Sequence, residues 1–99
     1  MRRRLSLERV RPDPDTPSAL GYYWALREDD GEAGLRIRDV LDALRCEPGK
    51  VREHSLRYRP GDWWAAEVQM PDASTWWVVW RERGDDLVQV RYLGPEPGA

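Results

Sequence analysis

The sequence has few of the residues from which metal, redox and nucleophilic sites are built. Its 99 residues include one cysteine, one histidine and no phenylalanine. Because Cys46 cannot form an internal disulfide, we expect a protein of a reducing compartment, the cytoplasm. With His54 alone, the chain lacks the ligands of a zinc site and the members of a catalytic triad. We therefore expect no metal, no cofactor and no catalytic residues, which predicts a protein that is not an enzyme.

Long apolar runs are missing too. The longest run is Trp-Trp-Val-Val-Trp at 76–80, whereas a helix that crosses a bilayer needs about 20 apolar residues. The three arginines at 2–4 are not followed by the apolar stretch of a signal peptide. We therefore expect neither export nor a membrane partner.

Neither sign of charge dominates the chain. It has 16 Lys and Arg against 18 Asp and Glu, a formal net charge of −2. This balance argues against a general binder of polyanions, which would carry a basic domain or stripe. Of the 16 positive residues 15 are arginine, and there are 8 glycines and 8 prolines, a usage typical of a small bacterial protein from a GC-rich genome.

The sequence is rich instead in large aromatic side chains. Six Trp and four Tyr, at about 150–250 Å² each, can build much of a small core. The length predicts one domain, which we place at 1–93, with a basic tail at 1–4 and a proline-rich linker at 12–17. The residues at 94–99 cannot continue a strand and are expected to form a flexible tail.

The first half of the chain contains one ambiguous segment and one clear helix. Residues 18–29 suit either a helix or a strand, and Gly21 with its aromatic neighbours slightly favours the strand. The segment 35–45 is amphipathic, and we predict a helix that begins there or as late as Asp39, in which case 35–37 forms a short strand. Its apolar stripe follows the spacing i, i+3, i+4, i+7: Ile37, Val40, Leu41 and Leu44.

The second half predicts an antiparallel meander of four strands. Turn-forming residues separate candidate strands at about 51–59, 63–70, 75–82 and 87–93. Directly opposed residues of antiparallel neighbours lie on the same face, so the even-numbered apolar residues align only if each loop has an odd length.

Loops of odd length fix the predicted pairs. A three-residue loop at 60–62 pairs Tyr58 with Trp64. A five-residue loop at 71–75 pairs Met70 with Trp76, and the last turn pairs Trp80 with Val88 or Val90. The pattern thus assigns one face to the core: Leu56, Tyr58, Trp64, Ala66, Val68, Met70, Trp76, Val78, Trp80, Val88, Val90 and Tyr92.

The helix stripe is the natural cover for this face. We therefore predict an α+β fold, an antiparallel meander of about four strands packed against one amphipathic helix, with one or two further N-terminal elements. Trp24 is expected to lie near the core.

The opposite face of the meander is unusual because it combines tryptophans with arginines, where a one-sided sheet would be polar. We predict that it forms a binding surface with these residues: Trp63, Trp77, Arg57, Arg59, Arg81 and Arg91.

Three interpretations of this face remain open. The N-terminal segment, with Leu5, Leu7, Tyr22 and Tyr23, could fold over it and make it ordinary interior. It could instead bind protein, including a second copy in a homodimer, since Trp, Tyr and Arg are enriched in interface anchors. It could also bind a ligand through arginine on phosphate and tryptophan on bases.

Our leading hypothesis is a small binding or accessory protein that acts through the Trp/Arg face, by protein binding or self-association. The alternative is a nucleic-acid-binding protein that uses the same face with a basic N-terminal arm. A third hypothesis, an enzyme that uses His54 with Glu53 or Glu67 as acid and base, has less support.

Overall fold

The computed structural model describes residues 2–8, 18–28, 31–58, 61–84 and 86–95, without the Arg27 side chain. Within these ranges the chain forms three helices and five strands. Their bounds, in chain order, are β1 (Arg4–Leu7), α1 (Ala19–Glu28), α2 (Glu32–Cys46), α3 (Pro48–Glu53), β2 (Ser55–Tyr58), β3 (Trp63–Gln69), β4 (Thr75–Arg83) and β5 (Leu87–Gly94).

The strands form one mixed sheet in the order β1-β5-β4-β3-β2. The predicted antiparallel meander, β2 to β5, is confirmed, and β1 adds a parallel strand at its edge. The described helices pack on one face of this sheet, which confirms the α+β fold class.

The main core lies between the helices and this face. It contains Ile37, Leu41 and Leu44 of the predicted helix stripe, with Trp80 at its centre. The strands contribute Ala66, Val68, Met70, Val78, Trp80, Val88, Val90 and Leu93, and Trp64 and Trp76 pack against them. Nine of the twelve predicted core residues therefore lie on this face, while Leu56, Tyr58 and Tyr92 do not.

The preference for a strand at 18–29 is wrong, because a side-chain cap starts a helix there. The Ser18 hydroxyl accepts a hydrogen bond from the Gly21 backbone N–H at 3.0 Å, which satisfies a donor of the first helical turn. Ala19 and Tyr22 then face the core. Trp24 falls on the other side of α1 and is 50% exposed, so its predicted place near the core is wrong.

The predicted helix at 35–45 is confirmed as part of α2, and its alternative start at Asp39 is wrong. The helix ends at Cys46 because Pro48 disfavours helical backbone at the preceding residue. Pro48 instead occupies the first turn of α3, a position that suits proline. The first predicted strand, at 51–59, therefore begins too early, since residues 51–53 belong to α3. None of the described helices is long and apolar enough to cross a membrane.

The register of β2 differs from the prediction by one residue. Tyr58 pairs with Trp63 rather than with Trp64, because four residues rather than three connect the strands. The connection includes Gly61 at a φ of 103°, a conformation that favours glycine. Since a one-residue shift reverses every side chain, Leu56 and Tyr58 lie on the face opposite to the helices, which corrects their assignment to the core.

The hairpin of β3 and β4 keeps the predicted faces. Val68 rather than Met70 pairs with Trp76, a shift of two residues that leaves a five-residue loop of odd length. In that loop the Ser74 hydroxyl and backbone N–H donate to the Asp72 carboxylate, and these bonds lower the pKa of the Asp72 carboxyl group.

A β-bulge divides β5 into two parts. Trp80 pairs with Val90 as predicted, but Val79 pairs with Tyr92, so Arg91 is the extra residue. A bulge of this kind changes which residues face each side of the sheet. Leu93, which strict alternation along the strand places on the opposite face, therefore enters the main core. Tyr92 leaves the main core, which corrects its assignment. The predicted tail at 94–99 begins too early, since Gly94 belongs to β5, and residues 96–99 lie outside the described part of the chain.

Candidate functional site: the outer face of the sheet

The sheet face opposite to the helices, here called the outer face, carries its own apolar cluster. Trp63, Ala65, Val79 and Tyr92 are buried in it, and Tyr58 and Trp77 pack against them. All six residues lie on β2 to β5. None of the described helices contributes a residue to this cluster, so the four buried residues are covered largely by the aromatic and arginine side chains of the sheet.

Two arginines cover the Trp63 ring. The guanidinium carbons of Arg81 and Arg91 lie 4.2 Å and 5.5 Å from its centroid, and Trp63 is only 6% exposed. A guanidinium over an indole face contributes about 0.5–2 kcal/mol, depending on desolvation. Three of the predicted site residues therefore form one closed stack, which leaves the Trp63 ring without a free face for a nucleobase.

A row of polar side chains extends this stack across the sheet. Arg81 Nε donates to Gln89 Oε1 at 3.1 Å, and Gln89 Nε2 donates to Glu8 Oε1 at 3.1 Å. These bonds connect β4, β5 and the end of β1, and they fix the Arg81 guanidinium above Trp63.

The exposed apolar side chains beside this cluster lie on β2 and β4. Leu56 is 63% exposed, and Tyr58 and Trp77 are partly exposed beside the buried cluster. Leu56 lies directly opposite Ala65, which continues the apolar surface to the edge strand.

The N-terminal residues predicted to cover this face lie elsewhere. Leu5, Leu7, Tyr22 and Tyr23 all pack against the main core, and Tyr22 makes an edge-to-face contact with Trp76, at a centroid distance of 5.3 Å. The interpretation in which these four side chains make the outer face interior is therefore wrong.

The shift of β2 also moves Arg57, which the sequence assigned to the outer face. Arg57 pairs with Trp64, and its guanidinium carbon lies 4.9 Å from the Trp64 ring centroid on the helix side of the sheet. Arg59 lies outside the described residues. The predicted site is thus partly assembled: Trp63, Trp77, Arg81 and Arg91 share one face, and Arg57 does not.

A second group of side chains, which the sequence did not single out, surrounds Trp64. A cleft of about 370 Å³ there is lined by four arginines and two carboxylates beside the ring: Arg52, Arg57, Arg81, Arg83, Asp62 and Glu82. Arg52 forms an ion pair with Glu82 and Arg57 one with Asp62, so the cleft keeps an excess of positive charge. No sequence pattern marked it, because Arg52 was assigned to a strand.

The residues considered for chemistry are separate from both groups. His54 falls within the first predicted strand, where it would face the core, but it directly follows α3 and is exposed, so that placement is wrong. Cys46 is an exposed free thiol at the end of α2. Within the described ranges, no group of three or more His, Cys, Asp or Glu side chains could hold a metal ion.

Comparisons of the chain with protein-family models, with curated proteins and with solved structures found no significant match.

Proposed function

We propose that the protein is a non-enzymatic binding protein that holds a protein partner on the outer face of its sheet. The observation that supports this proposal is an apolar cluster on the face opposite to the described helices, with the exposed Leu56 at its margin. Partly buried aromatic side chains beside an exposed aliphatic one are typical of interface anchors. Trp63 supports the surface from beneath, while Leu56, Tyr58 and Trp77 contact the partner.

The charges of the outer face indicate the chemistry of this partner. Four arginines and three carboxylates lie at this face, on the strands and their ends, and one of the carboxylates, Asp86, is paired with Arg4. The charged residues are Arg4, Arg81, Arg83, Arg91, Glu8, Glu67 and Asp86. The face is thus positive although the whole chain is negative. A partner that presents apolar side chains flanked by carboxylates fits this surface, because complementary charges favour encounter and suppress wrong partners.

Two leucines of similar exposure provide a matched test. Leu56→Glu places a charge on the outer face, and Leu35→Glu places the same charge on α2, where Leu35 is 52% exposed. Neither side chain supports the core, so both variants are expected to fold like the wild type. We expect the wild type and Leu35→Glu to recover the same partner from a lysate. Leu56→Glu is expected to recover at least about tenfold less of it. Equal recovery by both variants would contradict the proposal.

A second candidate function, binding of single-stranded nucleic acid, rests on the cleft at Trp64. Its arginines outnumber its carboxylates, and phosphate contacts with an aromatic side chain are typical of single-strand binders. The ion pairs of Arg52 and Arg57 reduce the charge that is available, which makes this candidate the weaker one.

Fluorescence anisotropy with a labelled single-stranded oligonucleotide tests this second candidate. If three of the four arginines in the cleft contact phosphates, the logarithm of the binding constant falls with the logarithm of the salt concentration at a slope of about 2. Each phosphate contact contributes about 0.7 to this slope for single strands. Arg57→Ala is expected to lower that slope, whereas Arg38→Ala on α2 leaves it unchanged. Absence of binding at low salt would contradict a nucleic-acid-binding function of the cleft.

A further inference from the structure

We propose that two copies of this chain associate through β1, edge to edge and antiparallel, so that their sheets join into one. This edge lies at the other end of the sheet from β2, which carries Leu56, and the proposal does not depend on the function proposed for the outer face. β1 is the edge strand beside β5, and an edge strand presents backbone groups with which another strand can pair.

The backbone groups of Leu5 and Leu7 face away from β5. The N–H groups of Arg4 and Glu8 donate to carbonyl oxygens on the β5 side, at 2.6 Å and 3.0 Å. In a parallel pair, alternate residues direct both their backbone groups to the same neighbour, so Ser6 also bonds towards β5. The intervening residues, Leu5 and Leu7, then direct their N–H and carbonyl groups to the free edge.

Within the described residues, the part of this edge that has no backbone partner is short and has defined ends. Before it, the Arg3 N–H donates to the Arg45 carbonyl oxygen at 2.9 Å, and after it the Leu20 N–H donates to the Glu8 carbonyl oxygen at 3.1 Å. A groove of about 500 Å³ follows the strand between these points, with room for apolar side chains of a second strand. It is lined by Arg4, Leu5, Ser6, Leu7, Leu20 and Leu87.

The sequence of this edge is complementary to itself when two copies run antiparallel. In a pairing centred on Ser6, Leu5 lies opposite Leu7 of the second copy, and Arg4 lies opposite Glu8 of the second copy. The two leucines can then exchange both backbone hydrogen bonds, as directly opposed residues of such a pair do. Each arginine meets a carboxylate on the same face, an arrangement that stabilises antiparallel pairs. In any other register Arg4 no longer lies opposite Glu8. Because the edge is complementary to itself in this one register, the partner that it fits best is a second copy of the chain.

Both charged side chains are available for this pairing. Arg4 contacts Asp86 at 3.1 Å, but both side chains are more than two-thirds exposed, and an ion pair of this kind is weak. Glu8 accepts the bond from Gln89 through Oε1, which leaves its second oxygen for Arg4 of the second copy.

Charge reversal provides the test, by light scattering or sedimentation over a concentration series. The wild type is expected to form a dimer reversibly. Arg4→Glu puts glutamate opposite Glu8, and Glu8→Arg puts arginine opposite Arg4, so each single variant is expected to raise the dimer dissociation constant by about tenfold or more. An equimolar mixture of the two variants restores complementary pairs and is expected to associate like the wild type.

Leu56→Glu, which changes only the outer face, is the control and is expected to leave the dimer intact. Circular dichroism checks that every variant is folded. A wild type that stays monomeric would overturn the proposal, as would single variants that dimerise normally or a mixture that does not recover. Loss of the dimer in Leu56→Glu would also overturn it, because association would then use the outer face.

Discussion

Trp80→Ala is expected to cost about 3–5 kcal/mol of unfolding free energy, the usual loss for removing a fully buried tryptophan. Trp80 has no exposed surface and lies between the helices and the sheet. Its indole N–H donates a hydrogen bond to the Ser55 hydroxyl, with 3.4 Å between Nε1 and Oγ. Small domains have a total stability of about 5–15 kcal/mol, so the expected loss is about a fifth of the total or more. Thermal denaturation followed by circular dichroism should show a midpoint lower by roughly 12–40 °C.

Trp24→Ala is the control for this experiment, because Trp24 is half exposed on α1. Surface substitutions of this kind change stability by less than about 1 kcal/mol. If the two variants lost equal stability, the assignment of Trp80 to the centre of the main core would be wrong.

Leu93→Ala and Leu56→Ala should differ sharply in stability, although the same atoms are removed. Leu93 is fully buried beyond the bulge of β5, whereas Leu56 is mostly exposed on β2. Truncating a buried leucine costs about 2–5 kcal/mol, and truncating an exposed one costs about 0.5 kcal/mol or less. Urea denaturation of the two variants measures the difference directly.

This pair distinguishes the observed faces from those that strict alternation along the strands predicts. Alternation places Leu56 in the core and Leu93 outside, so it predicts the opposite order of stabilities. A larger loss in Leu56→Ala would therefore contradict both the register of β2 and the position of the bulge.

The sequence predicted the central hairpin well because its pattern is redundant. β3 and β4 are long, and Trp64, Val68, Val78 and Trp80 all require the same face. A shift of two residues in the pairing changes the partners without changing the faces. The amphipathic helix α2 was predictable for the same reason, since several residues follow one period.

The shorter elements could not be predicted because one local feature decides each of them. β2 has four residues, and an unrecognised extra residue in the connection that contains Gly61 reverses its faces. The bulge at Arg91 does the same in β5. The parallel pairing of β1 with β5 joins the two ends of the chain, and no local pattern encodes such a contact.

These differences decide how much of the candidate site was predictable. Trp63 and Trp77 were placed on the correct face because they lie in the well-determined hairpin. Arg57 was misplaced because it lies on β2, and Leu56 and Tyr58 were missed for the same reason. Arg81 and Arg91 were also placed on the correct face, because the predicted pairing of Trp80 with Val90 holds, and both lie over Trp63 there.

Hydroxyl-radical footprinting of the protein alone and with the captured partner shows directly whether the partner binds the outer face. We expect protection of Leu56, Tyr58 and Trp77 on the outer face, and unchanged reactivity of Leu35 and Trp24 on the helices. Protection of Leu35 and Trp24 with unchanged reactivity of Leu56 would contradict binding at the outer face, because the partner would then bind the helical layer.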